Sequence, residues 1–395
     1  MARILFIWEL GEGLGHVSRM EVLAARLKEE GHEIRFAIRD LELAGRFLVG
    51  RGYEPMAVPT AVVMPIRGPD SNQPTSVADI LGAIGFADSE RLAPYIYAWD
   101  NLIADYAPDL VILDYAPTAG LALYGSMIPV CVIGDGFSTP PGHLEAFRPY
   151  RQARPAFDPQ HLLAEANKIQ RIRGRPELSR LPEVFAGSKQ LVVTYPELDC
   201  WAGDRLEPAI GPLQSAKPMT LREPMRDYFA YLSAHHRQID VLVKGLAISG
   251  LRGLIFIRDA SPEFKDHMRR LNLNVVDQPQ DMNEMIETSS VIIHHGGIGT
   301  SEAVLVGGRP QMIAPRHVEQ SMNMSSLGKS GVITGLALSA KIEPGHVQQA
   351  LDRIIQHSDV RNNALNIAKT LTSRGDGPIQ IVLSTCQDLL KQGGA

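Results

Sequence analysis

Short apolar runs alternate with amphipathic stretches along the first half of the chain. The runs at 3–8 and 33–38 predict buried strands, and between them Val17, Met20 and Leu23 recur at helical spacing over 17–30, before the stop at Gly31. Such alternation is typical of parallel sheets with helices on both faces. Further strands are predicted at 110–113, 129–133, 190–194 and 208–211, with helices at 41–49, 77–105 and 118–126 and a Pro/Gly-rich stretch at 55–75.

The same alternation begins again in the second half. The segment from Gly211 to Pro218, with Pro224 beyond it, predicts a linker over 212–227. A chain of 395 residues is expected to form two domains, here predicted as 1–211 and 228–378, and a last helix over 379–395 is expected to pack back on the first. Strands are predicted at 228–232, 253–257, 273–276 and 291–293, and helices at 236–249, 262–270, 281–287 and from Thr300 onward.

Composition narrows the class of protein. The formal net charge is −5, and 21% of the residues are charged, which does not favour nucleic-acid binding. The cysteines Cys131, Cys200 and Cys386 are dispersed, without metal-ligand spacing or a disulfide framework, so we expect a reducing cytoplasm. The apolar run at the start of the chain is far shorter than a membrane span.

One basic segment departs from the acidic balance. Residues 148–180 carry eight basic and three acidic side chains. A solvated face of arginines explains this segment, and the alternative is an anionic or peripheral membrane contact.

A histidine pair and three glycines follow the predicted strand at 291–293. His294 and His295 are followed by Gly296, Gly297 and Gly299, and a helix is predicted to begin near Thr300. The first N–H groups of a helix have no partner within it, and its N-terminus carries about half a positive charge. This loop therefore predicts a binding site for a diphosphate.

The segment from His294 to Gln320 closely resembles the donor motif of GT-B glycosyltransferases of the UDP-glycosyltransferase and macrolide/glycopeptide type, and more distantly of MurG-like enzymes. Gly308, Pro310 and Asn323 also fit its spacing. The resemblance implies that Glu319 and Gln320 hydrogen-bond sugar hydroxyls and that Gln280, in Gln278-Pro279-Gln280, packs under the base. It further implies a diphosphate held by the side chain of His295 and the loop Gly297, Ile298, Gly299 and Thr300.

Two positions depart from this pattern. Ala303 stands where the family commonly has the glutamate that binds ribose, and the acid lies at Glu302 instead. Glu302 is interpreted either as the ribose contact or as an acid in the first turn of a helix. Ser233 stands where relatives often show Gly-Ser near the phosphates, and it is either a donor contact or a helix N-cap. His235 and His236 are expected to be exposed.

The amino-terminal strand leads into a second glycine-rich loop. His16 follows Gly11, Gly13 and Gly15 at the start of a helix, whose dipole is expected to keep the imidazole neutral. Asp114 ends the predicted strand at 110–113, and open parallel sheets place ligands at the carboxyl ends of their strands. We therefore expect His16 to contact Asp114, while Arg19 is assigned to the surface. The structural alternatives are a helix-capping histidine and a carboxylate that binds loop amides.

The resemblance implies the fold and a reaction. The fold is α/β of the GT-B class, with two Rossmann-like domains facing across a cleft. His16 would act as the base and Asp114 would orient it, so that a sugar moves with inversion from a UDP- or dTDP-sugar to a hydroxyl of a small-molecule or lipid-like acceptor. No cofactor beyond this co-substrate and no metal is implied. A UDP-N-acetylglucosamine 2-epimerase-like isomerase and a non-catalytic nucleotide-sugar-binding protein are the alternatives. A hydrophobic acceptor is suggested by Met64, Phe86, Tyr95, Tyr97, Trp99, Phe137, Phe147 and Tyr150.

Overall fold

The computed structural model describes residues 1–68, 72–214, 219–336, 341–373 and 377–393. The chain divides into two compact units, one of Met1–Gln214 with Asp376–Ala395 and the other of Ser215–Gly375. Residues 215–218 of the predicted linker and residues 394–395 of the predicted last helix lie outside the described residues.

The first unit contains a six-stranded parallel sheet. Trp8 pairs with Ile38 on one side and with Asp114 on the other, so three strands end at the same edge. The strand order is β3-β2-β1-β4-β5-β6. These strands are β1 (Arg3–Trp8), β2 (Glu33–Ile38), β3 (Pro55–Ala57), β4 (Leu110–Asp114), β5 (Val130–Gly134) and β6 (Lys189–Val192).

The helices of the first unit largely follow the predicted periodicity, with one break. The helix predicted over 77–105 is divided because Gly85 has φ = 117°, and a new helix begins after Asp88, whose side chain caps it. The six helices that precede the second unit are α1 (Gly15–Glu29), α2 (Leu43–Val49), α3 (Val77–Leu81), α4 (Ser89–Tyr106), α5 (Pro117–Leu123) and α6 (Pro159–Ile172), with a π-helical turn at Gly82–Phe86.

Two segments of this unit differ from the predictions. Residues 208–211 were predicted as strand-like but form no strand, although Ile210 and Gly211 donate backbone hydrogen bonds to Val192 and Thr194. The prediction of a strand at 208–211 is therefore wrong. Sequence reasoning also missed α6, although Asp158 caps it and Pro159 occupies its first turn.

The last helix, α14 (Gly377–Gly393), belongs to the core of the first unit. Its buried face packs in the same cluster as Leu23 of α1 and Ile133 of β5. Burial of each large apolar side chain contributes about 1.5–3 kcal/mol, so this face fixes the helix to the sheet. The residues that form it are Ile379, Val382, Leu383, Cys386 and Leu389.

The second unit repeats the architecture with its own core. Its parallel sheet has the order β12-β11-β10-β7-β8-β9. The strands are β7 (Arg226–Ser233), β8 (Gly253–Arg258), β9 (Val275–Val276), β10 (Ser289–His294), β11 (Gln311–Ile313) and β12 (Ile333–Gly335). The helices are α7 (Ile239–Ile248), α8 (Pro262–Arg270), α9 (Met282–Thr288), α10 (Ile298–Val306), α11 (Val318–Gly328), α12 (Pro344–Gln356) and α13 (Ser358–Thr372). The predicted class of two α/β units with parallel sheets is confirmed.

None of the helices in the described part of the chain is long and apolar enough to cross a membrane.

Candidate active site

His16 and Asp114 are in direct contact. The Nδ1 atom of His16, in the first turn of α1, lies 2.9 Å from Oδ1 of Asp114 at the end of β4, and both side chains are buried. The carboxylate can only accept, so Nδ1 carries the ring proton and Nε2 has a free lone pair. This is the tautomer that a general base requires.

The neighbouring charges favour the imidazolium form of His16. Burial by itself lowers the pKa of His16, but the negative charge and hydrogen bond of Asp114 outweigh burial, and the net shift is upward. This upward direction is opposite to the one expected from the helix dipole. The carboxylate at 2.9 Å acts more strongly on the ring than the partial charges of the helix terminus.

Arg19 and Asp135 extend this pair into a buried network. Arg19 Nη2 donates to Asp135 Oδ2 at 3.1 Å, and its Nε lies 3.9 Å from Asp114 Oδ2. The assignment of Arg19 to the surface is wrong, since only 11% of its side chain is exposed. Asp135 directly follows β5, and sequence reasoning missed it. Its position after a buried parallel strand, like that of Asp114, is the signal that could have identified it.

The glycine-rich loop before α1 leaves room for the His16 ring. Gly11 has φ = +94°, and a Cβ atom there would lie 2.4 Å from His16 Nε2. Trp8 and Tyr115 stack near the ring, with centroids 5.5 Å and 6.4 Å from that of His16. The imidazole is thus fixed by packing as well as by Asp114.

In the second unit, the loop after β10 forms an open helix N-terminus. Helix α10 begins at Ile298, with Gly297 as its N-cap and no side chain capping it. A Cβ atom on Gly297 or Gly299 would meet nothing within 4 Å, so there is space above the first amides. The amides of Ile298, Gly299 and Thr300 lie in this first turn, where an anion is favoured.

The ring of His295 lies beneath this loop, with both nitrogens occupied. Ser233 N donates to His295 Nε2 at 2.8 Å, and Nδ1 lies 2.7 Å from the carbonyl oxygen of Ala314, so Nδ1 carries the proton. Burial lowers the pKa of His295 to about 3, which keeps the ring neutral. In this conformation the ring links two strand ends and presents no N–H to a phosphate.

Helix α11 holds the loop from the other side. Gln320 is buried, and its Oε1 accepts from Arg316 N at 2.8 Å. The Asn323 side chain donates to the Gly296 carbonyl at 3.0 Å. Gly296 has φ = +88°, and a Cβ atom would lie 3.1 Å from the Gln320 carbonyl oxygen. Glu319 lies half-buried in the first turn of α11. Gln320 therefore supports its own loop in this conformation.

Three other donor candidates, Gln280, Ser233 and Glu302, lie outside the first turn of α10. Gln280 Nε2 donates to the Gln278 carbonyl in an exposed turn before α9. Ser233 Oγ accepts from His235 N at 3.3 Å, but α7 begins only at Ile239, so the N-cap interpretation is wrong. Because α10 begins at Ile298, Glu302 lies in the second turn and is not a first-turn acid.

The two histidines before α7 differ in exposure. His235 is exposed as expected, whereas His236 is buried and stacks on His295 with ring centroids 5.4 Å apart. The expectation of an exposed His236 is wrong because the neighbouring imidazole covers its face.

The residues suggested for a hydrophobic acceptor fall into different environments. Phe86 and Trp99 are core residues, while Met64 and Tyr97 are exposed. Phe137 and Tyr150 contact each other and continue a row of rings that begins with Tyr115 beside His16. Phe137 and Tyr150 are therefore linked to the candidate base, His16, through the ring of Tyr115.

The basic segment 148–180 is extensively paired. Arg173 forms a bidentate contact with Asp100 and is buried, and Arg171 lies 2.6 Å from Glu177. Arg148 and Arg180 also form ion pairs, with Asp204 and Glu145. These contacts favour the interpretation as a paired, solvated arginine face. Among the residues that the structure describes, no cluster of three or more His, Cys, Asp or Glu side chains could hold a metal ion.

One protein family matches part of the chain. Residues 265–389 match the family described as the C-terminal domain of erythromycin biosynthesis protein CIII-like proteins. The matched segment includes the loop after β10 and the helices α10 and α11. The resemblance predicted from that loop is confirmed. No curated protein matches the chain.

Solved glycosyltransferase structures match nearly the full length. The calicheamicin glycosyltransferase CalG4 is 15% identical, with a TM-score of 0.69 over 99% of this chain and 98% of that one. The glycosyltransferase VinC, in complex with dTDP, is 17% identical, with a TM-score of 0.65 over 99% and 100%. The spinosyn rhamnosyltransferase SpnG, complexed with spinosyn aglycone, is 16% identical, with a TM-score of 0.65 over 98% and 100%. The predicted GT-B fold is confirmed.

Proposed function

We propose that this chain, which has the GT-B fold and an EryCIII-like C-terminal domain, is a glycosyltransferase acting on a hydrophobic small molecule or lipid-like acceptor. The donor is a nucleotide-diphosphate sugar, a UDP- or dTDP-sugar. The observation that carries the proposal is the buried hydrogen bond between His16 and Asp114. This bond fixes the tautomer of His16 and leaves Nε2 as the acceptor, as a general base requires.

The first unit supplies the base. His16 Nε2 takes the proton of the acceptor hydroxyl while the oxygen attacks the anomeric carbon, and Asp114 stabilises the imidazolium that forms. The row of rings from Tyr115 through Phe137 to Tyr150 supports a hydrophobic acceptor. In support, SpnG was solved with an aglycone. A single displacement of this kind inverts the configuration at the anomeric carbon.

The second unit binds the donor. The amides of Ile298, Gly299 and Thr300, at the positive end of α10, meet the charge of the departing diphosphate. The proposed mechanism uses no metal ion, because these amides and the helix dipole can meet the charge of the leaving group. His295 contributes by holding the loop, and Glu319 lies at the start of the next helix, where it is proposed to bind the sugar. The complex of VinC with dTDP supports a donor of this class.

The test is incubation of the purified full chain with UDP- or dTDP-sugars and a mixture of hydrophobic alcohols. Release of nucleoside diphosphate together with an acceptor heavier by one sugar supports transfer. An isomeric nucleotide-sugar would indicate a 2-epimerase-like isomerase instead. Binding of the donor without turnover would indicate a non-catalytic nucleotide-sugar-binding protein.

A further inference from the structure

Four ionisable side chains from three elements meet in the first unit. They are His16 and Arg19 of α1, Asp114 of β4 and Asp135 after β5, and none of these side chains is more than 11% exposed. Arg19 lies between the two carboxylates, 3.9 Å from Asp114 Oδ2 and 3.1 Å from Asp135 Oδ2. One guanidinium therefore bridges two acids, one of which holds the candidate base.

Asp135 is held rigidly enough to orient a partner. Its Oδ1 accepts from the backbone N–H groups of Phe137 and Ser138 at 3.0 Å and 2.9 Å, which leaves Oδ2 for Arg19. Gly134, just before it, has no space for a side chain: a Cβ atom would lie 2.5 Å from Ser138 Oγ and 3.2 Å from Asp114 Oδ1. The turn after β5 thus packs tightly against the carboxylate of Asp114.

Asp114 needs such a partner. Its Oδ1 contacts His16, but within the described residues its buried Oδ2 has no hydrogen bond. Removal of a carboxylate from water is costly unless an opposite charge lies nearby. The Arg19 guanidinium supplies that charge, and Asp135 fixes the guanidinium.

We propose that Arg19 and Asp135 are positioning residues for the His16–Asp114 pair. Arg19 orients the carboxylate of Asp114, and Asp135 holds Arg19 in place. This inference rests on the function proposed above for His16, and neither residue is assigned a contact with substrate. The sequence motif that identified His16 and Asp114 does not include either one.

The charges of the network explain why both residues are needed. With His16 neutral, two carboxylates face one guanidinium, and a proton on His16 balances the charge. Burial and Arg19 lower the pKa of His16, whereas Asp114 and Asp135 raise it. Arg19 therefore favours the neutral form of His16, which can act as a base. Asp135 partly offsets this effect, because its negative charge favours the protonated form.

Two variants should move the titration of His16 in opposite directions. Arg19→Gln removes the cation, so His16 should keep its proton to higher pH than in the unchanged protein. Asp135→Asn removes an anion, so His16 should lose its proton at lower pH. The measurement is an NMR titration of the full chain with isotope-labelled histidine, in which His16→Gln identifies the signal. Arg26→Gln, which removes an exposed arginine of the same helix, is the control and should leave the titration unchanged.

The expected result is a pair of opposite shifts, with Arg19→Lys closer to the unchanged protein than Arg19→Gln. Shifts in the same direction, or no shift in either folded variant, would overturn the proposal. If Arg19→Gln does not fold, Asp135→Asn and Arg19→Lys provide the test. A lower pKa of His16 in Asp135→Asn supports the proposal, and an unchanged titration of His16 in both variants rejects it.

The titration needs no substrate, so it separates this inference from the proposed function. If the two variants shift the titration in opposite directions but the chain transfers no sugar, the positioning roles are supported and only the proposed transferase function is rejected. In an active chain, the acid limb of the kcat–pH profile should move with each titration, to higher pH for Arg19→Gln and to lower pH for Asp135→Asn. An active chain whose profile and titration both stay fixed would reject the positioning roles alone.

Discussion

Gly11 lies so close to the ring of His16 that there is no space for a side chain at position 11. A Cβ atom on Gly11 would lie 2.4 Å from His16 Nε2, the nitrogen assigned as the base, and Gly11 has φ = +94°. The glycine loop thus both turns the chain and leaves space for the reactive nitrogen.

Gly11→Ala should displace the His16 ring and lower kcat at least tenfold. Gly13→Ala is the matched control, because Gly13 also has a positive φ of +77° but its Cβ would meet nothing within 4 Å. Both variants should lose about 1 kcal/mol of stability from backbone strain, and Gly11→Ala should lose more because its Cβ also displaces the buried His16 ring. Steady-state kinetics and thermal unfolding separate the two effects, and equal activity in the two variants would show that Gly11 does not protect the base.

His16→Ala should reduce transfer by about 10²- to 10⁴-fold, because it removes the general base. Calorimetric titration with the nucleoside diphosphate should give nearly the same affinity as before, since the donor site is proposed in the second unit. A parallel loss of affinity and rate would argue against the assignment of His16 as the base.

Transfer should rise with pH through the titration of His16, because only the neutral ring accepts a proton. Its raised pKa results from Asp114 overcoming the effect of burial, so Asp114→Asn should move the acid limb to lower pH. The plateau should also fall, because the amide cannot stabilise the imidazolium or select the tautomer. A kcat–pH profile tests both, and an acid limb that moves to higher pH would contradict this electrostatic account.

Gly297→Ala should weaken binding of the nucleoside diphosphate about tenfold without a loss of stability. Gly297 has backbone angles that alanine readily adopts, and a Cβ atom there would meet no other atom within 4 Å. The Cβ would, however, occupy the space through which an anion approaches the α10 amides. Gly345→Ala, at the start of α12 with the same free space, is the control. Unchanged affinity in Gly297→Ala would place the diphosphate elsewhere.

His295→Ala should lower both stability and donor affinity. It leaves the Ser233 N–H and the Ala314 carbonyl without their partners, which costs about 1–3 kcal/mol for each buried group left unsatisfied. Chemical denaturation and calorimetric titration should therefore change together. Loss of affinity with full stability would show instead that the ring binds phosphate directly.

The sequence alone predicts those features that depend on residues close together in the chain. The alternation of apolar strands and helices predicts two parallel-sheet units, and the glycines around His295 predict an open helix start, because period and turn chemistry act over a few residues. The paired strands β1 and β4 bring together His16 and Asp114, which are 98 positions apart. Their contact could be expected because the carboxyl ends of parallel strands share one edge.

Tertiary structure alone decided how each side chain is used. The sequence presents Arg19 as a polar residue one turn inside a helix and Asp135 as one more loop acid. Only the fold, which brings Arg19 to the ends of β4 and β5, joins them to the base. In the same way, the ring of His295 turns toward Ser233 and Ala314. Burial removes water as the competing partner, and the remaining donors and acceptors must then pair with whatever the fold brings near, which no local pattern records.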